Sequence, residues 1–467
     1  MGGPSVVDMN PQGERWTAEQ VLALAPDAAS RKAGAKLAAP GPWSAAGART
    51  EGDAGAVWGE CAGSGSKPYR TVVDLSGHGG GPGFHCSCPS RKFPCKHALG
   101  LLLLWTEGED AVPASGAEPP GWAGEWLERR RQRAERAAEP PPPADGPAAV
   151  DTEAARRRSE RRAQRIAAGA TELEQRLTDL LRGGLAAADG GSYGPWEETA
   201  ARMVDAQAPG LAARVRELAS VTGSGADRAA RLLEECALLH TLNQGYLHLD
   251  RLPEALAATV RTRVGITSDA AALLASATPV RDLWLVLAQQ DSDDGRLITR
   301  KIWLHGRSTG RMALLLSYGA GGRAPELSLP TGLALDADIA YYPAARPLRA
   351  VLGTRHAAPA PSPEAPAGGD AAAALRAYGE ALRDDPWLEA WPAIVSAVTP
   401  VPGPEQGWQL ADAHGGSALP VDPRCGDRMG LWRLAAISGG SPVTVFGECG
   451  HRGFTPLTTW APEPVAL

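Results

Sequence analysis

Catalytic signatures are missing from this sequence. The stretch "GSGSK" (63–67) is too short for a G-x-x-x-x-G-K-[ST] loop and runs into Pro68, which cannot continue into a phosphate-binding helix. There is no G-x-S-x-G elbow, no H-E-x-x-H and no dinucleotide fingerprint. "DSDDG" (291–295) lacks the terminal Glu of a calcium loop and reads as a hairpin turn. Nothing places a nucleophile, a base and an oxyanion donor together, so the chain is expected not to be an enzyme. Excess positive charge is missing too. Lys and Arg number 47 against 53 Asp and Glu, a net charge of −6, which excludes a global basic field for nucleic acid. Any polyanion site must be local. Long apolar runs are also absent. The longest, Ala98 to Trp105, is far below membrane-spanning length. The early run "VLALA" is too short for a signal peptide and follows Glu14 and Glu19. A cytoplasmic location with no membrane partner is the expectation. In that reducing compartment clustered cysteines point to metal binding rather than disulfides.

What is present implies several domains. At 467 residues the chain exceeds what one core usually serves. Its high Ala, Arg, Gly and Pro with little Lys reads like a protein from a GC-rich bacterium. The pattern predicts an α+β multidomain fold: a small N-terminal β-hairpin/helix zinc module, a helical middle and a β-rich C-terminal region. Residues 1–108 form the first unit. Thr17 and Gln20 make a capping box for an early helix, and Asp27 is placed to cap a second. "AVWGECA" (56–62) and "YRTVVDL" (69–75) read as a hairpin. Residues 109–150 read as a Pro/Ala/Gly-rich linker around an isolated helix in "WLERRRQRAER". The 151–280 region is helical. Ile166, Ala170, Leu173, Leu177 and Leu181 share one face of its first helix, with arginines 156, 157, 158, 161 and 162 crowding its beginning. The 281–356 region is β-rich and opens with a three-stranded meander. Residues 357–372 read as a second linker. Residues 373–467 are α+β, with a helix at 373–384 and strands in "LWRLAAISG" and "PVTVFGEC".

The most informative stretch is "CSCPSRKFPCKH" (86–97). Cys86 and Cys88 are spaced i, i+2, so on an extended segment both thiolates reach one ion. The intervening residues, with Pro89 and Pro94, are enough to turn the chain back. Cys95 and His97 repeat the spacing where a helix should begin. Three thiolates and one imidazole make a closed tetrahedral structural zinc site, which implies folding and not catalysis. Arg91, Lys92 and Lys96 offset the net negative charge of such a centre. The hairpin has too little core to stand alone, so the metal supplies much of its folding energy, on the order of 10 kcal/mol.

"FHCSCPSRKFPCKHALGLLLLW", with "WGECAGSGSKPYRTVVDL" upstream, resembles the SWIM zinc finger. That pattern is C-x-C, a short loop, then C-x-H opening a helix. The likeness covers about residues 56–106. The chain's general organisation resembles bacterial SWIM-containing proteins.

The other cysteines and histidines read as structural. Cys61 and Cys236 are expected in cores, His85 on the strand face opposite Cys86, and His78 in solvent. "CGDRMG" and "ECGHRG" read as turns. A second metal at Cys425, Cys449 and His451 lacks a close fourth partner.

Two functions from different classes follow. In the first, the protein is a non-enzymatic adaptor for a protein partner. Resemblance suggests a MoxR-type AAA ATPase system with von Willebrand A-type proteins. In the second, the basic knuckle binds nucleic acid. Lys67, Arg70, Arg91, Lys92 and Lys96 against Asp74 give a local +4. Phe93 or Tyr69 then stacks on bases. The presence of SWIM modules in Swi/Snf-type helicases and transposase-related proteins points the same way.

Overall fold

The computed structural model describes residues 16–25, 28–49, 55–63, 67–76, 82–90, 94–113, 118–138, 148–185, 194–221, 228–294, 297–320, 325, 327–403, 407–413, 416–425 and 428–467. The fold is mixed α+β, with three sheets and a helical bundle.

The N-terminal module begins with α1 (Ala18–Ala23) and α2 (Ala28–Ala35). The Thr17–Gln20 capping box forms, with both reciprocal hydrogen bonds present. The Asp27 cap lies outside the described residues. Strands β1 (Trp43–Arg49), β2 (Ala56–Cys61), β3 (Tyr69–Asp74) and β4 (Gly83–Cys86) pair antiparallel in sequence order. Strand β1 was not expected; its "WSAAGAR" lacks β-branched residues. Helix α3 (Lys96–Thr106) packs across this sheet and is buried from His97 to Trp105. It stops at Gly108, whose φ of +118° suits a residue without a Cβ. It also crosses α2 closely. A Cβ on Gly100 would lie 2.6 Å from Leu37 Cβ.

The supposed linker at 109–150 is not a tether throughout. Helix α4 (Gly121–Ala138) lies on the outer face of the first sheet. Ala123 is buried there with Trp58 and Val72, and Trp122, Trp126 and Leu127 pack alongside. The reason is the i, i+4 stripe of Trp122, Trp126 and Arg130. Prolines flank it and arginines fill the other face, which masked the stripe in the composition.

The bundle comprises α5 (Ala148–Gly183), α6 (Gly194–Asp205), α7 (Pro209–Val221), α8 (Arg228–Leu247) and α9 (Glu254–Val264). Ile166, Ala170, Leu173 and Leu177 are buried as the spacing required, while Leu181 is exposed. Asn243 is fully buried and donates to the Ala170 carbonyl and Glu174. A short α10 (Ala270–Ser276) follows.

The second sheet closes on itself. Strands β5 (Val280–Asp293), β6 (Leu297–Gly306) and β7 (Met312–Ala320) form the expected antiparallel meander. Strand β8 (Leu333–Tyr341) pairs with β5, and β9 (Arg349–Arg355) pairs antiparallel with β8 and parallel with β7. This five-stranded Greek-key barrel has the connectivity of an OB-type fold. The supposed linker at 357–372 is strapped to it: β10 (Ala360–Pro361) pairs with β8, and Arg307 donates to Ser362.

Helix α11 (Ala371–Asp384) precedes the third sheet. That sheet contains β11 (Ala390–Val401), β12 (Gln409–Asp412), β13 (Ala418–Pro420), β14 (Val443–Gly450), β15 (Gly453–Trp460) and β16 (Pro464–Ala466). Its strand order is β13-β12-β11-β14-β15-β16. "LWRLAAISG", expected as a strand, belongs to helix α12 (Arg428–Ser438). Its Leu431 and Leu434 enter the core three residues apart, a helical period.

The units share cores. One cluster joins α3 and the first sheet to barrel residues such as Trp284, Ile302 and Leu304. Another joins the opposite barrel face to Phe446 and Trp460 of the third sheet. Polar ties match. Gln20 Nε2 donates to the Gly332 carbonyl at 3.2 Å, and Arg263 makes a two-pronged ion pair with Asp385 at 3.1 and 2.7 Å. Asp74, at the end of β3, accepts from Arg130 of α4 at 2.9 Å. Arg355 of the barrel is pushed down to about 10, mainly by burial and then by Arg130, while Asp74 opposes the shift. Asp74 is therefore paired with Arg130 and also offsets the charge of Arg355. Asp74→Ala is expected to cost about 3 kcal/mol, because it leaves buried positive charge uncompensated. Urea denaturation measures it, and an unchanged midpoint would contradict this role.

Candidate metal centre

Chain geometry brings the four predicted ligands together. Strand β4 ends at Cys86, paired across from Thr71, and the chain bends through Cys88. Ser87 N–H donates to the Arg70 carbonyl, and Ser87 Oγ accepts from Arg70 N–H, which fixes the bend. Cys95 is the N-cap of α3 in extended conformation, φ −75° and ψ 167°, so His97 falls in the first helical turn. The ligand atoms of Cys86, Cys88, Cys95 and His97 all lie within 4.8 Å of one another. Tetrahedral zinc with Zn–S bonds of about 2.3 Å needs ligand separations of about 3.8 Å, so small side-chain adjustments close the shell. His97 Nδ1 is the ring nitrogen facing Cys86 Sγ, at 3.7 Å.

The surroundings suit thiolates. Cys86, Cys95 and His97 are buried, and Cys88 is half-buried. Without metal the Cys86 thiol is pulled down to about 3, chiefly by its hydrogen bond with Cys95, with His97 and Thr71 adding to this against burial. Thr71 Oγ1 sits 3.2 Å from Cys86 Sγ. Cys95 is pushed up, because its hydrogen bond to Cys86 holds the proton and burial adds to it. Burial first, then the Cys86 charge, raises Cys88. Backbone N–H groups of Cys88, Ser90 and Ala98 favour the thiolates of Cys86, Cys88 and Cys95 respectively. Thr71 and these amides form a supporting shell that ligand spacing alone does not reveal. With four protein ligands and no open position, the centre suits a structural ion and not a catalytic one.

Family comparison agrees with the geometry. Residues 69–105 match the SWIM zinc finger. The module is a SWIM zinc finger. Residues 161–264 match the SWIM-associated four-helix bundle domain, which coincides with the observed bundle from within α5 to the end of α9. No curated protein and no solved structure matches the chain. The four ligands and the SWIM match fit one structural zinc ion.

The other expected residues fare differently. Tyr69 lies against His97, ring centroids 4.8 Å apart, so it supports the ligand. Arg70 pairs with Glu60 at 3.1 Å and lies over Trp122. Lys67 and Lys96 are exposed. Arg91, Lys92 and Phe93 lie outside the described residues, as does His78. His85 faces away from the ligands and stacks on Trp126 at 5.8 Å. Cys61 and Cys236 are buried in cores. Cys449 is buried in the third-sheet core, with Cys425 packed beside it. His451 is exposed and accepts from Arg452 Nε. Among the described residues, no second group of His, Cys, Asp or Glu has ligand spacing. No helix among them is long and apolar enough to cross a membrane.

Two outcomes are expected. Cys95→Ser should release zinc and unfold α3 from its sheet; unchanged metal content by atomic absorption would remove Cys95 from the ligand set. Zinc affinity should also depend on pH with a definite sign. The Cys88 and Cys95 thiols are raised in the metal-free site, so they hold protons at neutral pH that zinc must displace. Affinity therefore falls as pH falls, by about tenfold per unit for each proton released. Chelator competition at two pH values reads the slope, and a flat profile would contradict it.

Proposed function

We propose that the protein is a non-enzymatic adaptor in which the SWIM zinc finger is a structural staple and not the contact surface. The observation that carries this is where the module's aromatic and cationic groups are used. Tyr69 supports His97, Arg70 is paired with Glu60 though its side chain stays 56% exposed, and His85 stacks on Trp126. Groups engaged within their own protein are less available to stack on bases or neutralise phosphates. Of the proposed contacts within the described residues, Lys67, Arg70 and Lys96 face outward, and Arg70 already has an acidic partner.

An apolar surface suited to a protein partner lies elsewhere. On α12, Met429 and Trp432 are 77% and 58% exposed. Trp432 stands edge-on to Trp408 at 4.9 Å, which holds the indole in place. Exposed, pre-positioned Trp and Met are typical anchors of protein interfaces. The partner we propose is a MoxR-type AAA ATPase, a suggestion from resemblance.

The test is co-purification of the tagged full-length protein from its host after nuclease treatment, with the partner identified by mass spectrometry. A MoxR-type ATPase retained by the native protein, and weakened about tenfold or more by Trp432→Ala, is the expected result. An empty eluate would count against the adaptor. Salt-sensitive binding of labelled DNA, lost with Lys67→Ala and Lys96→Ala, would instead return the function to the knuckle.

A further inference from the structure

A cavity of about 780 Å³ lies where the barrel, the third sheet and the end of the bundle meet. Its size falls within the range of small-molecule sites, roughly 300–1,000 Å³, and such sites favour domain junctions. Register explains its barrel wall. Lys301 and Trp303 are i, i+2 on β6 and so share a face. Across the ladder, Gln290 is opposite Lys301, Leu314 opposite Trp303, and Arg349 beside Leu314. This is the outer face, since Ile302, Leu304 and Leu315 enter the barrel core. OB-type barrels use the outer face of their second and third strands, here β6 and β7, to bind ligands. The cavity and the topology indicate the same face independently.

The charges inside do not cancel locally. Three of the four lining carboxylates are paired with arginines, and the fourth, Glu448, is bound only by a neutral indole. Asp385 holds Arg263, Glu389 holds Arg214, Asp422 holds Arg424, and Glu448 accepts from Trp303 Nε1 at 3.1 Å. Arg346 of the lining is held by Asp384. Among the described residues, Lys301, Arg349 and Arg452 have no carboxylate partner. Arg349 lies 4.7 Å over the Tyr342 ring, and Arg452 donates to His451. These three cations outnumber Glu448, whose partner is a neutral indole, and with the half-buried Tyr342 ring beside them they suit a multiply charged anionic group attached to a flat ring system.

We infer that this cleft binds a nucleotide-type ligand, with phosphate held by Lys301, Arg349 and Arg452 and the base beside the half-buried Tyr342 ring. The same chemistry is offered by a free nucleotide or by a short single strand.

Titration calorimetry on the zinc-loaded full-length protein tests it, with ADP, pyrophosphate, adenosine and an oligothymidylate of about eight nucleotides as probes. Saturable binding of ADP or the oligonucleotide is expected, with adenosine much weaker. The tighter of the two identifies the source. Lys301→Gln and Arg452→Gln, both at exposed positions, should each weaken binding about tenfold without changing the melting temperature. Absence of binding at millimolar concentration overturns the inference. So does adenosine binding as well as ADP, or affinity that neither substitution changes. A combined Lys301→Gln, Arg349→Gln protein guards against one cation covering for another.

Discussion

The burial of α3 is the constraint on which the rest of the molecule depends. A helix reading "KHALGLLLLWT" has no polar face from His97 to Trp105. It must be covered on every side, and one small sheet cannot do that. The sheet covers one flank and α1 and α2 another, and the buried cluster they form continues into the barrel. Zinc fixes the one end that packing does not control. By binding Cys95 and His97 in the first turn, it sets where the helix starts relative to β4. A metal contribution on the order of 10 kcal/mol is comparable to the net stability of a whole domain. Loss of the ion therefore threatens both the knuckle and the buried cluster that α3 shares with the barrel.

Charge follows the same economy. The chain is acidic overall, yet several of its arginines are committed to carboxylates of its own fold. Arg300 is almost fully buried in the barrel and satisfied by Asp291 at 2.7 Å through two nitrogens and by the Leu327 carbonyl. Arg130 ties α4 to Asp74 of the zinc-finger sheet, and Arg355 of the barrel feels both charges. In such settings a guanidinium's fixed fork matches carboxylate geometry better than an ammonium. A count of basic residues along the sequence consequently overstates the knuckle as a polyanion surface. Arg70 adds to a local +4 in the text but spends its charge on Glu60.

What the sequence disclosed tracks the range of each interaction. The zinc ligands were legible because spacing within twelve residues encodes their geometry directly. The capping box, the bundle face from Ile166 to Leu177 and the β5–β7 meander were legible for the same reason. The barrel was not. Its closure depends on β9 lying parallel to β7, a pairing more than thirty residues apart that no local pattern states. Helix α4 was read as isolated because prolines and arginines dominate its composition, while three aligned side chains decide its docking. Residues 431–439 alternate well enough for a strand, and only the Leu431–Leu434 spacing signals helix. The supporting Thr71 was invisible because its role comes from cross-strand pairing with Cys86.

The location of the cleft follows from these assembly rules. The barrel's inner residues belong to the same buried cluster as α3 and the zinc-finger sheet, so that side of the barrel is closed by the N-terminal module. The third sheet covers only part of the outer face, through Trp303, Phe446 and Trp460. Beyond that contact the face opens onto the cleft, where Lys301, Arg349 and Arg452 form no ion pair and outnumber the one carboxylate without a cation, Glu448. Holding three like charges around a common space costs free energy in the absence of a counter-charge. Nothing in the packing of the barrel requires Lys301 or Arg452, because both stand in solvent at its margin. A structural role accounts for Arg263 and Arg346, which have their own carboxylates. It does not account for the other three, and an anionic ligand does.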